Sequence, residues 1–225
     1  MTVLDPEEQP TPRRDHDQQR MRPARRLPER CRDCRRTGKC HDPFEDPAGG
    51  GGAWKCVLDP WPFYSQLDDW TVDPDKTDEN ASYNCGPESV AMCVKYCTGV
   101  EQPADYIKDI ILGQGAVGVT SAKQLTDYLK QYCNINSDTV WCASQNNFTW
   151  NLWDAICSGK PAIWLRAFDY VGSNTLHWCP IYYIDQGAIK EADPWTGNSR
   201  WFNYADAWAW AEGTVIKLHR TRWDD

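Results

Sequence analysis

The stretch "YNCGPESVAMCVKYCTG", residues 83–99, decides how the rest of the chain is read. Val90, Cys93, Val94 and Cys97 recur at the spacing of one helix face. Pro87 suits a first helical turn, where its missing N–H costs nothing. Gly99 stands where a helix stops on a left-handed residue. The spacing therefore predicts a helix over 87–98, with Cys85 just before it. A thiol at a helix N-terminus meets unpaired backbone N–H groups and the positive end of the dipole, and both favour the thiolate. Cys85 is on that ground a candidate nucleophile, and Gly86 would allow close approach of a substrate and an unusual turn. A buried structural cysteine near a helix start is the competing reading. Cys93 and Cys97 fall on the buried spacing and read as core thiols.

Three further helices follow. "PADYIKDIILG" (103–113) has Pro at its start and Gly at its end, and "TSAKQLTDYLKQY" (120–132) opens with Ser121 and Gln124 in capping-box form. "TWNLWDAICSG" (149–159) would be capped by Thr149. Beyond it the pattern turns β-rich: "KPAIWLRAF", "HWCPIYYID", "AIKEADP" and "TVIKLHR", with "YADAWAWAEG" as a short intervening helix. Helices first and strands afterwards predict an α+β fold, a helical half packed on an antiparallel sheet.

Composition divides the 225 residues near position 54. None of the thirteen tryptophans precedes Trp54. Residues 1–53 hold 11 Lys+Arg against 10 Asp+Glu, whereas 54–225 hold 13 against 22, an excess of 13 − 22 = −9. An irregular arm and Gly-rich linker (1–53) thus precede one globular domain (54–225). The domain's acidity argues against nucleic-acid binding by that part. Nine basic residues within 20–39, set against Glu29 and Asp33, form a local patch that could meet an acidic surface or simply be solvated. The polar start shows no signal peptide and no run reaches the length of a membrane span. Synthesis in the cytosol is expected, with any export by lysis or within a particle. Eleven cysteines leave at least one unpaired within the chain. Cytosolic synthesis favours thiols or metal ligation over a disulfide framework.

A nucleophilic Cys85 needs a base. Of the four histidines, His16 and His41 lie in the arm and His219 near the end, whereas His177 opens the most apolar strand. His177 is the candidate base and later proton donor, against the alternative of a satisfied core histidine. A hairpin joining 177–184 to 188–193 through the turn "DQGA" returns Asp193 to the side of His177, where it could orient the imidazole. An Asp-Pro pair is otherwise a common turn former. Gln66, in "FYSQLDDW", offers an amide donor that could join the Cys85 N–H in an oxyanion hole.

With these residues in place, "FYSQLDDW … NCGPESVAM … LHW … ADPW" resembles the papain-like cysteine peptidases of the bacteriocin-processing, double-glycine peptidase-like group over about residues 60–219. The resemblance implies the papain-like fold, with Cys85 as nucleophile, His177 as base, Asp193 as orienter and Gln66 as oxyanion donor, and no cofactor for catalysis. The sequence departs from the pattern at Leu176, where the family usually has Gly, at Cys179-Pro180 in a usually apolar run, and at Glu88.

In the arm, Cys31-x2-Cys34-x5-Cys40-His41 has the form of a zinc knuckle, with Cys56 as a fourth ligand beyond the linker. Zinc would give this apolar-poor segment a fold. Disulfides or free thiols are the alternatives.

Two functions are therefore in view. One is a cysteine endopeptidase or amidase. Relatives without signal peptides among phage lysins and tail components imply a substrate in the peptide part of the bacterial cell wall, and aromatic clusters at 150–153, 195–201 and 208–210 could contact it or pack in the core. The other is a structural or adaptor virion protein that uses the fold for binding and its arm for anchoring. A transglutaminase- or deamidase-like thiol enzyme shares the same acyl-enzyme logic.

Overall fold

The computed structural model describes residues 55–67 and 83–219. The arm, with Cys31, Cys34, Cys40 and His41, lies outside them. In chain order the elements are β1 (Lys55–Val57), α1 (Cys85–Thr98), α2 (Ala104–Leu112), α3 (Ala122–Tyr132), β2 (Ser137–Trp141), α4 (Gln145–Cys157), β3 (Ala162–Ala167), β4 (Leu176–Asp185), β5 (Ala188–Asp193), β6 (Asn198–Asn203), α5 (Tyr204–Trp210) and β7 (Ala211–Leu218). The fold is α+β. One antiparallel sheet runs β2-β7-β3-β4-β5-β6, and β1 pairs with the end of β4.

Helix boundaries follow local chemistry. In α1, Gly99 (φ 75°) is the left-handed stop, and its N–H returns to Lys95 O. Ser121 and Gln124 make the expected capping box at α3. Helix α4 begins earlier than its sequence suggested: Ser144 is the cap, accepting from Asn147 N, and Thr149 is buried inside the helix. The Ser144 hydroxyl captures the free N–H of Asn147, so the cap lies five residues ahead of Thr149.

Strands also interleave with the helices rather than following them. β1, β2 and β6 were not expected. β1 has three residues, and β6 is exposed at every position but Phe202. Edge strands of this kind carry no strong apolar alternation. The predicted β4–β5 hairpin forms, with Asp185 Oδ1 accepting from Gly187 N and Ala188 N. Pro180 lies inside β4, next to the point where the β4–β5 register slips between Ile181 and Tyr183. That irregularity accommodates a residue with no N–H for a regular ladder.

The sheet is covered on both faces. Trp178 points to the side where α1 packs, close enough that a Cβ on Gly86 would lie 3.2 Å from its ring. Trp164, opposite Cys179 in the β3–β4 register, points to the other side and meets Phe148 of α4 at 5.5 Å between ring centres. The core joins these layers through Met92, Leu125, Leu152, Trp164, Ile181 and Ile216.

Cys56 is not free to act as a zinc ligand here. It is disulfide-bonded to Cys157 and ties β1 to the end of α4. The register slip in β4 turns Ile184, and with it the paired Cys56, toward the face that α4 covers, so the two sulfurs meet. The aromatic clusters mostly pack inward: Trp153 is buried, and Trp150, Trp208 and Trp210 lie against the core, whereas Trp201 is half exposed.

Candidate active site

Cys85 is the first residue of α1, so the helix starts two residues before Pro87 and the thiol lies within the N-terminal turn itself. Asn84, at the cap position, donates from Nδ2 to Asp105 Oδ1 at 2.8 Å, and Asp105 in turn pairs with Lys108. This fixes the entry to α1 against α2. Gly86 has a different role from the one expected. It is buried, and a Cβ there would lie 2.1 Å from Thr120 Oγ1 and 3.3 Å from Leu125. Its smallness serves helix packing beneath the nucleophile rather than an open approach for substrate.

His177 stands one residue into β4, and the β4–β5 hairpin brings Asp193 to it. His177 Nε2 and Asp193 Oδ1 are 2.8 Å apart. With Nε2 engaged, Nδ1 is the nitrogen left for Cys85, whose thiol lies within the electrostatic reach of the imidazole. Asp193 Oδ1 also accepts from Trp195 N at 2.9 Å, and Asp193 O accepts from Gly197 N at 2.8 Å. The Asp-Pro turn thus holds the carboxylate from behind. Phe168 packs on the imidazole with ring centres 4.8 Å apart and is flanked by Trp195 at 5.2 Å, which shields the His177–Asp193 bond from water.

The electrostatics favour an ion pair. Burial opposes ionisation of Cys85, but the His177 imidazole and its charge outweigh it. The backbone N–H groups of Trp178 and Gly86 add to this, and the thiol is held below its ordinary range. Burial alone would lower His177; the Asp193 carboxylate, bonded to its ring, and Cys85 instead hold it above the usual imidazole range, and Cys179, which stays a thiol, brings no charge to it. Asp193 is held low: burial acts against it, but the His177 bond and charge, the Trp195 N–H and Arg166 prevail. Cys179 is pushed up to about 12, first by burial and then by the Glu191 charge, so it remains a thiol when Cys85 is a thiolate.

Gln66 is buried, and its N–H donates to Pro194 O at 2.7 Å. That places its loop on the turn following Asp193, where Gly197 packs on Ser65. Cys85, His177 and Asp193 are thus brought together, and Gln66 is buried against the turn that follows Asp193. Leu176, next to His177, is exposed. A cavity of about 530 Å³ bounded by Trp61, Tyr96, Cys97 and Lys160 lies at the C-terminal end of α1, away from Cys85.

Sequence reasoning missed several residues that build the site. Ser89, Thr120, Arg166 and Glu191 support it, and Cys179 lies beside His177. Arg in "AIWLRA" and Glu in "AIKEAD" were legible as charges inside apolar strands, a pattern that calls for a buried partner.

No protein-family model matches the chain, and no curated protein matches it in sequence. Its backbone is similar to that of a solved Bacillus anthracis protein assigned as a C39-like peptidase. That match has 15% identity and a TM-score of 0.53, and covers 75% of this chain and 100% of that one. The fold is therefore the papain-like fold of C39-like peptidases. Weaker similarity extends to the peptidase domain of Streptococcus ComA, a bifunctional ABC transporter of a quorum-sensing pathway, at 16% identity, 61% and 91% coverage and TM-score 0.48. It also extends to a double-glycine-motif protease of an AMS/PCAT transporter, solved with its leader peptide, at 13% identity, 60% and 82% coverage and TM-score 0.43. No helix among the described residues is long and apolar enough to cross a membrane.

Proposed function

We propose that this chain is a thiol hydrolase that cleaves peptide or amide bonds through Cys85. The observation that carries the reading is the placement of Cys85 at the first position of α1, beside an imidazole whose Nε2 lies 2.8 Å from Asp193 Oδ1 and whose charge lowers the thiol pKa. The Cys85 thiolate attacks the scissile carbonyl, and the oxyanion is received by the Cys85 N–H and the Gln66 side-chain amide. Imidazolium His177 then protonates the leaving amine. In the second half-reaction neutral His177 takes a proton from water, and the hydroxide so formed releases the acyl group. Asp193 keeps the ring oriented and stabilises its charged form.

The substrate class we assign is the peptide part of the bacterial cell wall. The setting is a phage lytic or virion tail-associated protein whose arm, residues 1–53, contacts other virion proteins. Both assignments rest on the motif resemblance.

The decisive experiment is labelling at pH 6 with a thiol-directed peptidase inactivator, followed by peptide mapping. An ordinary thiol with a pKa of about 8.5 is then almost wholly protonated and slow. Selective modification of Cys85, lost in His177→Ala, followed by release of cell-wall peptides, is the expected result. Labelling spread evenly over the cysteines would overturn the mechanism and leave the fold as a binding module, the adaptor reading.

A further inference from the structure

Beneath His177 and Asp193 lies a chain of charges that the peptidase motif does not contain. In the β3–β4 register Arg166 is directly opposite His177, and Trp164 is opposite Cys179. Ile181 pairs with Glu191, and Asp193 follows two residues along β5. Residues opposite one another, or two apart, share a face of a sheet. Trp164, Arg166, His177, Cys179, Glu191 and Asp193 therefore occupy one face.

The Arg166 side chain is 1% exposed and that of Glu191 0%. Removing such charges from water costs several kcal/mol per ion unless each is fully paired. Here the pairing is bidentate: Arg166 Nε donates to Glu191 Oε2 at 3.0 Å and Nη2 to Oε1 at 2.8 Å. Nη1 donates to Ala167 O at 2.8 Å and Phe168 O at 3.5 Å. Trp164 Nε1 donates to Glu191 Oε2 at 2.9 Å. The Phe202 and Trp210 rings lie 6.0 and 5.7 Å from the guanidinium carbon. The fork cannot swing, and Nη2 also faces Asp193 Oδ2 at 3.6 Å. The two oxygens of Asp193 are thus divided: Oδ1 takes His177 and Trp195 N–H, while Oδ2 faces Arg166. Apolar residues of similar volume would pack as well as this ion pair. What the pair adds is a rigid cation aimed at the second oxygen of the carboxylate.

We propose that Arg166, braced by Glu191 and Trp164, is a positioning residue that sets the rotation of Asp193 and through it the angle of the His177 ring toward Cys85. This rests on the peptidase reading above. The charged and titratable groups around Asp193 are His177 and Cys179 from β4, Arg166 from β3, Glu191 from β5 and, beyond the imidazole, Cys85 from α1. Phe168 and Trp195 bring no charge.

The test uses the full chain and needs no substrate. The rate of Cys85 alkylation by iodoacetamide is measured from pH 4 to 10 for wild type, Arg166→Lys and the double variant Arg166→Met/Glu191→Gln, with thermal melts alongside. The double variant removes both charges and strands neither. Wild type is expected to react rapidly at pH 6. The double variant, still folded, is expected to have its acid limb moved up by about one unit, which lowers its rate at pH 6 several-fold and by at most about ten-fold. Arg166→Lys, which keeps the charge but not the fork, falls between them. A folded double variant with the wild-type profile would show that the pair only fills the core and would overturn the proposal alone. If the double variant does not hold its melt, Arg166→Lys decides: an unchanged profile overturns the proposal, and a raised acid limb supports it. A wild type without rapid reaction at pH 6 would overturn the peptidase reading and this one with it.

Discussion

Ser89 Oγ donates to the main-chain oxygen of Trp178 at 3.0 Å, joining the helix one turn beyond Cys85 to the strand residue next to His177. The nucleophile and the base come from segments 92 residues apart, and this buried bond fixes their register. Trp178 Nε1 in turn donates to Thr120 O at 3.0 Å, so helix, loop and strand meet at one point. Ser89→Ala would remove a bond worth about 1 kcal/mol. The expected outcome is a modest fall in melting temperature with a larger fall in the pH 6 alkylation rate of Cys85. An unchanged rate would mean that the helix–strand register is held elsewhere.

Gly86→Ala is expected to be costlier than a one-carbon change suggests. The new Cβ would lie 2.1 Å from Thr120 Oγ1, a distance that forces the helix or the loop to move. Overpacking of this kind costs about 1–3 kcal/mol. Shifting the first turn of α1 also moves Cys85. The double variant Gly86→Ala/Thr120→Ala removes the clashing atom and should restore stability and most of the Cys85 reactivity. Failure of that rescue, read by thermal melts, would point to a backbone requirement at Gly86 in place of a steric one.

Cys85→Ala is expected to abolish turnover, a loss of at least about 10⁴-fold, with little change in stability. Asp193→Asn probes the ion pair instead. Asp193 is held below the usual carboxylate range, so its stabilisation is present above about pH 3.9 and lost as pH falls through its folded value. His177 is held above the usual imidazole range, so its contribution is full below about pH 6.5 and lost as pH rises through its folded value. The melting-temperature gap between wild type and Asp193→Asn should therefore be widest between these limits and close toward either end. A gap constant from pH 3 to 9 would show that neither shift exists.

These tests separate what the sequence made legible from what it did not. Helices α1, α2 and α3 could be read because helical spacing and end signals agreed: Gly99, Pro103 and the Ser121–Gln124 box each mark a boundary. His177 and Asp193 could be paired because a two-strand hairpin fixes which residues come home together. The supports are different in kind. Ser89 and Thr120 are ordinary polar residues whose importance exists only once α1 lies on β4. Cys56 was misread because its partner Cys157 is 101 residues away, and no local spacing encodes such a pairing.

The arm's zinc reading has to be recast by the same bond. With Cys56 paired to Cys157, a tetrahedral site in the arm would be completed within the arm, by Cys31, Cys34, Cys40 and His41. The full chain should then carry one zinc per molecule by elemental analysis. That zinc should be lost on Cys34→Ser and kept on Cys56→Ser, and chelation should leave Cys85 reactivity intact. Zinc that disappears with Cys56→Ser, or no zinc at all, would reject this ligand set.

The Cys56–Cys157 bond itself closes a loop that contains Cys85 and the whole of α1, α2 and α3. Closing about 100 residues removes enough unfolded-state entropy to stabilise the fold by about 4–5 kcal/mol in the chain-entropy model. Reductant should therefore lower the melting temperature of the wild type, whereas Cys56→Ser/Cys157→Ser should melt low with or without it. The bond joins β1 to the last turn of α4 and shares no residue with the Cys85–His177–Asp193 group. Below the melting temperature, reduction should accordingly leave the low-pH reactivity of Cys85 unchanged, or raise it where Cys85 had been oxidised in storage. A wild type whose melt ignores reductant, with free thiols found at both positions by peptide mapping, would remove the disulfide and return Cys56 to the pool of ligands open to the arm.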